Sequence, residues 1–197
     1  MNEAHLFAIG ITLAALAGVR AYLTVFGIGL AGMMGWVDLP PALEVASNGW
    51  VLGTAGALTV VEFFTDKIPG VDSASDLAQT ILRVPVGAFL AAATLSPDGD
   101  LGGWALAGGA SAAMLTHLTK TATRALVNGS PEPVSNWTAS LGEDVAVVGS
   151  LALVFAHPWL ALVILVGMLA LLLFGVLWLA RKLARALQSR PKPIGPA

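Results

Sequence analysis

Apolar residues run along this chain in long stretches, with polar residues in the breaks between them and at helical spacings near their ends. A membrane-crossing helix needs about 20 mainly apolar residues. Six segments meet or approach that length, at 5–34, 47–64, 76–95, 101–126, 136–156 and 159–180. Pro- and Gly-rich connectors separate several of them, at 38–41, 96–100 and 157–159. Trp36, Trp50, Trp104 and Trp159 stand beside those breaks, where interfacial aromatics belong. The pattern predicts an all-α, polytopic membrane helix bundle of about six transmembrane helices. Residues 1–181 form a single transmembrane domain, and 182–197 a basic, disordered tail whose first turns lie on anionic lipid. The first residues, Met-Asn-Glu-Ala-His, have no basic start, so a signal peptide is not expected.

Composition agrees. Of 197 residues, 56% are hydrophobic and only 11% charged, against about 25% charged in soluble domains. The absence of Cys removes disulfides, thiolate metal sites and cysteine nucleophiles, and a net charge of -2 carries no footprint for nucleic acid. With six spans, the chain start, the loops at 65–75 and 127–135 and the tail share one side. Arg181, Lys182, Arg185, Arg190 and Lys192 lie there, with Lys67, Lys120 and Arg124 at span ends facing it. The opposite loops hold Asp38, Glu44, Asp98 and Asp100 and no Lys or Arg. The positive-inside rule then places both termini in the cytoplasm of a cell with this protein in its inner membrane. Two Asn-x-Ser/Thr patterns, at Asn128 and Asn136, fall on that side and are not read as glycosylation sites.

Two stretches resemble one another. Gly49-Trp-Val-Leu-Gly53 is like Gly103-Trp-Ala-Leu-Ala107, and each opens a hairpin of two helices joined by a polar Pro/Gly loop. On that repeat Asp66 falls opposite Lys120 and Arg83 opposite Asp144, a charge-reversed pairing of two packed hairpins. Transporters often place their sites between such repeats; chance similarity among Gly, Ala and Leu is the alternative.

Charges inside a bilayer each cost roughly 2.5–3.5 kcal/mol on insertion scales. This chain sets five cations (Arg20, Lys67, Arg83, Lys120, Arg124) against six acids (Glu62, Asp66, Asp72, Asp76, Glu143, Asp144) in or beside its spans. Asp76, Gln79 and Arg83 share one helix face, as do His117, Lys120 and Arg124. Glu62 and Asp66 are one turn apart, as are Asn136 and Ser140, with Glu143 and Asp144 a turn further. The simplest arrangement converges on one polar centre, with Arg20 reaching in from the first span. Such a centre either binds and gates an ion, proton or polar solute, or locks helices by ion pairs. Adjacent Glu143 and Asp144 repel in a low dielectric, and His117 is a candidate proton partner. The small residues, among them Gly27, Gly53 and Gly109, read as helix-packing positions.

No phosphate-binding loop, zinc-binding His pair or serine nucleophile elbow is present. Ser140 lies one turn from two carboxylates without a positioned His, so enzyme activity is the weaker reading and no cofactor or metal is expected.

Ala17-Gly-Val-Arg20-Ala-Tyr22, Glu62-x-x-x-Asp66-Lys67-Ile-Pro69-Gly70-Val-Asp72, and Arg83-x-Pro85-x-Gly87 stand in the first half of the chain. His117-x-x-Lys120-x-x-x-Arg124-Ala125, Ser130-Pro131, Asn136 and Ser140-Leu-x-Glu143-Asp144 follow. With these motifs, over about residues 15–156, the chain resembles a bacterial membrane family known as domain of unknown function 4126. The resemblance implies no agreed activity, but its motif residues coincide with the polar cluster. The expected role is translocation of a small polar solute or ion, lined or gated by Arg20, Glu62, Asp66, Lys67, Asp72, Arg83, His117, Lys120, Arg124, Asn136, Ser140, Glu143 and Asp144. The alternative is a non-transporting scaffold or assembly protein whose ion pairs are structural. The expected surroundings are the lipid bilayer, and six spans in so short a chain leave a homodimer open as the working unit.

Overall fold

A computed structural model of the chain describes residues 2–68, 70–96, 101–127 and 133–188. They form α1 (Glu3–Met33), a short 3-10 helix (Pro41–Ser47), α2 (Gly49–Thr65), α3 (Val71–Leu95), α4 (Gly103–Val127), α5 (Pro133–Val154) and α6 (Pro158–Gln188). Local chemistry sets the boundaries. Asn2 caps α1 by accepting from the His5 amide, and Asn48 caps α2 by accepting from the Trp50 amide. Gly70 takes a positive φ of 86° that turns the chain from α2 into α3. Pro133 and Pro158 open α5 and α6, where a missing amide proton costs nothing. No strand occurs among the described residues.

Helix α1 is the centre of the bundle and touches each of the other five. It is not one rod. Arg20 has φ −143° and ψ 81°, so the helix is interrupted there. The neighbours of the two arms, 3–19 and 21–33, show how sharply. Leu6 and Ile9 of the first arm line the same cavity of about 260 Å³ as Leu39 and Leu43. Gly32 of the second arm packs against that same Leu39 and against Ser47. In a straight helix Leu6 and Gly32 would lie about 39 Å apart, at about 1.5 Å per residue. Both meeting Leu39 requires the arms to fold back into a V with Arg20 at its tip. Ile9, Leu13, Ile28, Leu43, Leu90 and Val154 accordingly share one apolar core.

The remaining directions follow from side-chain contacts. The first arm runs antiparallel to α3, with Gly10 against Ala91 and Leu95, and parallel to α4, with Ile11 near Gly108 and Val19 reached by Lys120. The second arm runs antiparallel to α2, with Gly56 on Phe26, and parallel to α5, with Gly27 on Leu151. One end of the bundle therefore holds both ends of α1, the 3-10 helix and the starts of α2, α4 and α6. Exposed Trp36, Trp50, Trp104 and Trp159 mark it. The other end holds Arg20, the α2–α3 turn, the end of α4 and the start of α5. Gly87, Gly109 and Ala113 let α3 and α4 approach backbone to backbone, since a Cβ on Gly109 would meet the Gly87 carbonyl oxygen at 2.6 Å.

Four helices are long and apolar enough to cross a membrane, over Glu3–Met33, Ala74–Leu95, Val134–Val154 and Pro158–Lys182. At 17 residues, α2 is a shorter apolar helix, and α4 carries His117, Lys120, Arg124 and four threonines among its 25 residues. The expectation that the chain start lies with the tail is corrected: α1 returns to the end it left, so residues 3–33 do not connect the two ends. The physical reason is that hydropathy averages over a window and carries no direction. The repeat also fares unevenly. Lys120 and Asp66 pair at 2.9 Å, but Arg83 pairs with Glu62 and Asp76 and Asp144 with Arg20 and Lys67. Residues 182–188, expected in a disordered tail, continue α6. Residues 189–197, the loop prolines and glycines at 97–100 and 128–132, and the Asn128 pattern lie outside the described residues.

Candidate functional site

The tip of the α1 hairpin enters a cluster of charge built from α2, α3, α4 and α5. Arg20 is buried and pairs with Asp66 at 2.8 Å, Asp144 at 3.0 Å and Glu143 at 3.7 Å. It also donates to the hydroxyl and carbonyl oxygens of Ser140, at 3.0 and 3.3 Å. The break that places Arg20 here leaves the last carbonyls of the first arm without helical partners. Lys120 answers one of them, donating to the Val19 oxygen at 3.3 Å, with a cation at the negative end of the arm's dipole.

Lys120 is a hub, within 2.9 Å of Asp66, 3.0 Å of Asp76 and 3.5 Å of Glu143. Arg124 forks onto Glu143 through Nε at 3.1 Å and Nη2 at 2.9 Å, a bidentate geometry that favours Arg over Lys. Its Nη1 donates to Asn136 Oδ1 and to the Asp66 carbonyl, and stands 3.9 Å from Asp72. Lys67 lies over the Phe63 ring, 3.0 Å from its centroid, and 3.9 Å from Asp144. Asp72 also accepts from the Gly70 amide at 2.9 Å, which fixes the turn feeding α3.

A second lobe centres on Arg83. Its Nη2 reaches Glu62 at 2.7 Å, Asp76 at 2.9 Å and the Gln79 side-chain oxygen. Its Nη1 lies 3.2 Å from His117 Nδ1, and His117 Nε2 lies 2.7 Å from the Thr80 hydroxyl. A guanidinium only donates, so Nδ1 accepts. Thr80 already donates to the Asp76 carbonyl at 3.0 Å, so Nε2 carries the proton given to it. His117 is thereby held as the neutral Nε2–H tautomer, an orienting residue for Arg83.

All thirteen residues singled out in the sequence join one connected network through these contacts. The helical spacings explain it: each polar face lies at the same end of the bundle, at the ends of α2 and α4 and the starts of α3 and α5, and the α1 hairpin brings Arg20 to meet them. Asp76 bridges Arg83 and Lys120 and so joins the two lobes. With Gln79 and Thr80 it completes the site, and its signal in the sequence is the i, i+3, i+7 spacing with Gln79 and Arg83. Most of the network is buried; Glu143 and Asp144 keep 16% and 19% of their side-chain surface exposed. Five buried carboxylate oxygens have no hydrogen-bond partner; Asp76 Oδ1 and Asp144 Oδ2 sit in ion pairs, which leaves Glu62 Oε2, Asp66 Oδ1 and Asp76 Oδ2 without either. Among the described residues no group of three His, Asp or Glu side chains is placed to hold a metal ion.

The family model described as Domain of unknown function (DUF4126) matches residues 7–180. The chain belongs to this family. The match takes in α1 from Phe7 onward and α6 as far as Ala180, beyond the stretch 15–156 that carries the motifs. No curated protein and no solved structure matches the chain. Its described residues are all-α, with helices long and apolar enough to cross a membrane and an internal charged centre.

Proposed function

We propose that this protein moves a small cation or polar solute across the membrane through the charged centre. The observation that carries the reading is the interrupted helix at Arg20, set inside a buried ion-pair network whose carboxylates keep unpartnered oxygens. Buried polar atoms left unpaired cost free energy, and broken helices at such depth line binding sites in many transporters. The five cations and six acids of the network leave one negative charge in excess, which a proton or cation entering would neutralise. Glu143 and Asp144, half-buried at the charged end, are the groups nearest to water, and the closed arrangement corresponds to an occluded state.

Orientation follows from charge. Lys67, Lys120, Arg124, Arg181, Lys182 and Arg185 belong to the charged end, while the tryptophan end carries Glu3, Asp38 and Glu44. The positive-inside rule puts the charged end in the cytoplasm of an inner membrane. Five helices then cross, α1 enters and returns, and the chain start faces the other side.

A structural lock is the second reading, favoured by the ion-pair partners that each of the five cations has. Ser140 decides between them, because it is buried against Arg20 and Lys67 and the chain has no native Cys. A Ser140→Cys thiol that reacts with a membrane-impermeant reagent from the cytoplasmic face supports a centre that opens to water. Protection from both sides, in folded protein, replaces translocation with the lock.

A further inference from the structure

A second feature lies beside the charged centre and is used by neither reading. A crevice of about 420 Å³ opens between α4, α5 and α6, with the first arm of α1 as its floor. Its volume falls within the roughly 300–1,000 Å³ of small-molecule sites. The middle is apolar, lined by Leu16, Val147, Leu165 and Leu169. Polar groups gather at the charged end, where Lys120, Glu143, Thr123 and Thr138 meet it. We infer that this crevice is a lipid-binding site that takes one acyl chain of a bilayer lipid, with the polar head at the charged end. The inference rests on the membrane placement of α5 and α6 and is independent of whether ions move through the centre.

Shape argues for a chain. Along α5 the lining runs from Thr138 to Ser150, about 18 Å at about 1.5 Å per residue. Over that length its walls are apolar, with Leu16, Ala146, Val147, Leu165 and Leu169 along them. An extended polymethylene chain matches such an elongated apolar groove. The mouth is continuous with the most lipid-like surface of the molecule, since Val145 and Val148 of α5 and Leu171 and Phe174 of α6 are all exposed. Both helices are long and apolar enough to cross a membrane. Chemistry at the inner end argues that the chain and not the head is recognised. Thr123 and Thr138 already donate to their own helix carbonyls at 2.8 Å, and Lys120 is held by Asp66 and Asp76, so no strong cation is left for a phosphate.

Gly142 lines the crevice, and a Cβ placed there meets nothing within 4 Å. A larger side chain there occupies the opening without a clash. Gly175 of α6 has the same freedom and does not line it. The test reconstitutes the full chain in phosphatidylcholine and phosphatidylglycerol vesicles that hold a trace of lipid with a photoactivatable acyl chain. Adducts are mapped by mass spectrometry. The expected result is adducts on Val147 and Leu165, both buried, that fall to background in Gly142→Phe and persist in Gly175→Phe. Adducts on outward Phe174 and Leu177 stay unchanged in both. The inference is overturned if Val147 and Leu165 go unlabelled while Phe174 and Leu177 are labelled. It is equally overturned if labelling survives in folded Gly142→Phe, or if cross-links between two copies span the crevice. Should Gly142→Phe not fold, the same mapping on Ala146→Leu decides.

Discussion

Replacing Arg20 by Met keeps the length of the stem and removes the charge at the tip of the α1 hairpin. Arg20 is buried and provides the shortest ion pairs of both Asp66 and Asp144. After the substitution Asp66 keeps Lys120 at 2.9 Å, but Asp144 is left with Lys67 at 3.9 Å, and Ser140 loses the two hydrogen bonds that Arg20 donates to it. Breaking a buried pair by removing one partner costs about 3–5 kcal/mol, because the remaining charge is stranded. That magnitude is expected for Arg20→Met. Adding Asp144→Asn removes the stranded carboxylate, so the double variant should be more stable than the sum of the singles by about 0.5–3 kcal/mol, the range for coupled neighbours. Reversible unfolding in mixed detergent micelles, followed by circular dichroism, measures both quantities. A loss below about 1 kcal/mol, the value of an exposed pair, with no coupling to Asp144, would refute the reasoning. It would mean that water already screens the tip of the hairpin.

Three other outcomes are expected. Thiols placed at Leu6 and Leu39 should be joined by a short bifunctional reagent in the folded protein, as the shared cavity requires; failure, with both thiols reactive, would return α1 to a straight span. Gly18→Ala should lose about 1–3 kcal/mol through overpacking, because its new methyl collides with the Thr116 hydroxyl and the Ala113 carbonyl, whereas Gly53→Ala on open surface should not lose stability in the same melt. The charge exchange Arg83→Asp with Asp144→Arg should fail to restore the stability lost in Arg83→Asp alone, since Arg83 is bound to Glu62 and Asp76; recovery in a thermal melt would show that the repeat pairing exists after all.

The residues of the candidate site were legible from the sequence because the charges are few and their spacing is local. In a chain with 11% charged residues, faces such as Asp76, Gln79 and Arg83 are fixed by 3.6 residues per turn before any packing occurs. The same reasoning ranked Asp76 below its neighbours, although it is the bridge between the two lobes, because bridging depends on where α3 meets α4. Partner choice likewise had no local signal: Asp66 with Lys120 was readable only through the repeat, and that repeat misassigned Arg83 and Asp144.

By itself the sequence determined that this is an all-α chain with helices long and apolar enough to cross a membrane, that its charges are gathered near one end of the helices, and that its family is DUF4126. These follow from composition, periodicity and motif spacing, which are properties of neighbours along the chain. Only the tertiary structure decided that α1 folds back at Arg20, which charges pair, and that a crevice remains between α4, α5 and α6. The reason is that hydropathy depends on what a residue is, whereas direction depends on a single pair of backbone angles. One residue at φ −143° and ψ 81° leaves the average hydropathy of thirty neighbours unchanged and reverses the course of the chain.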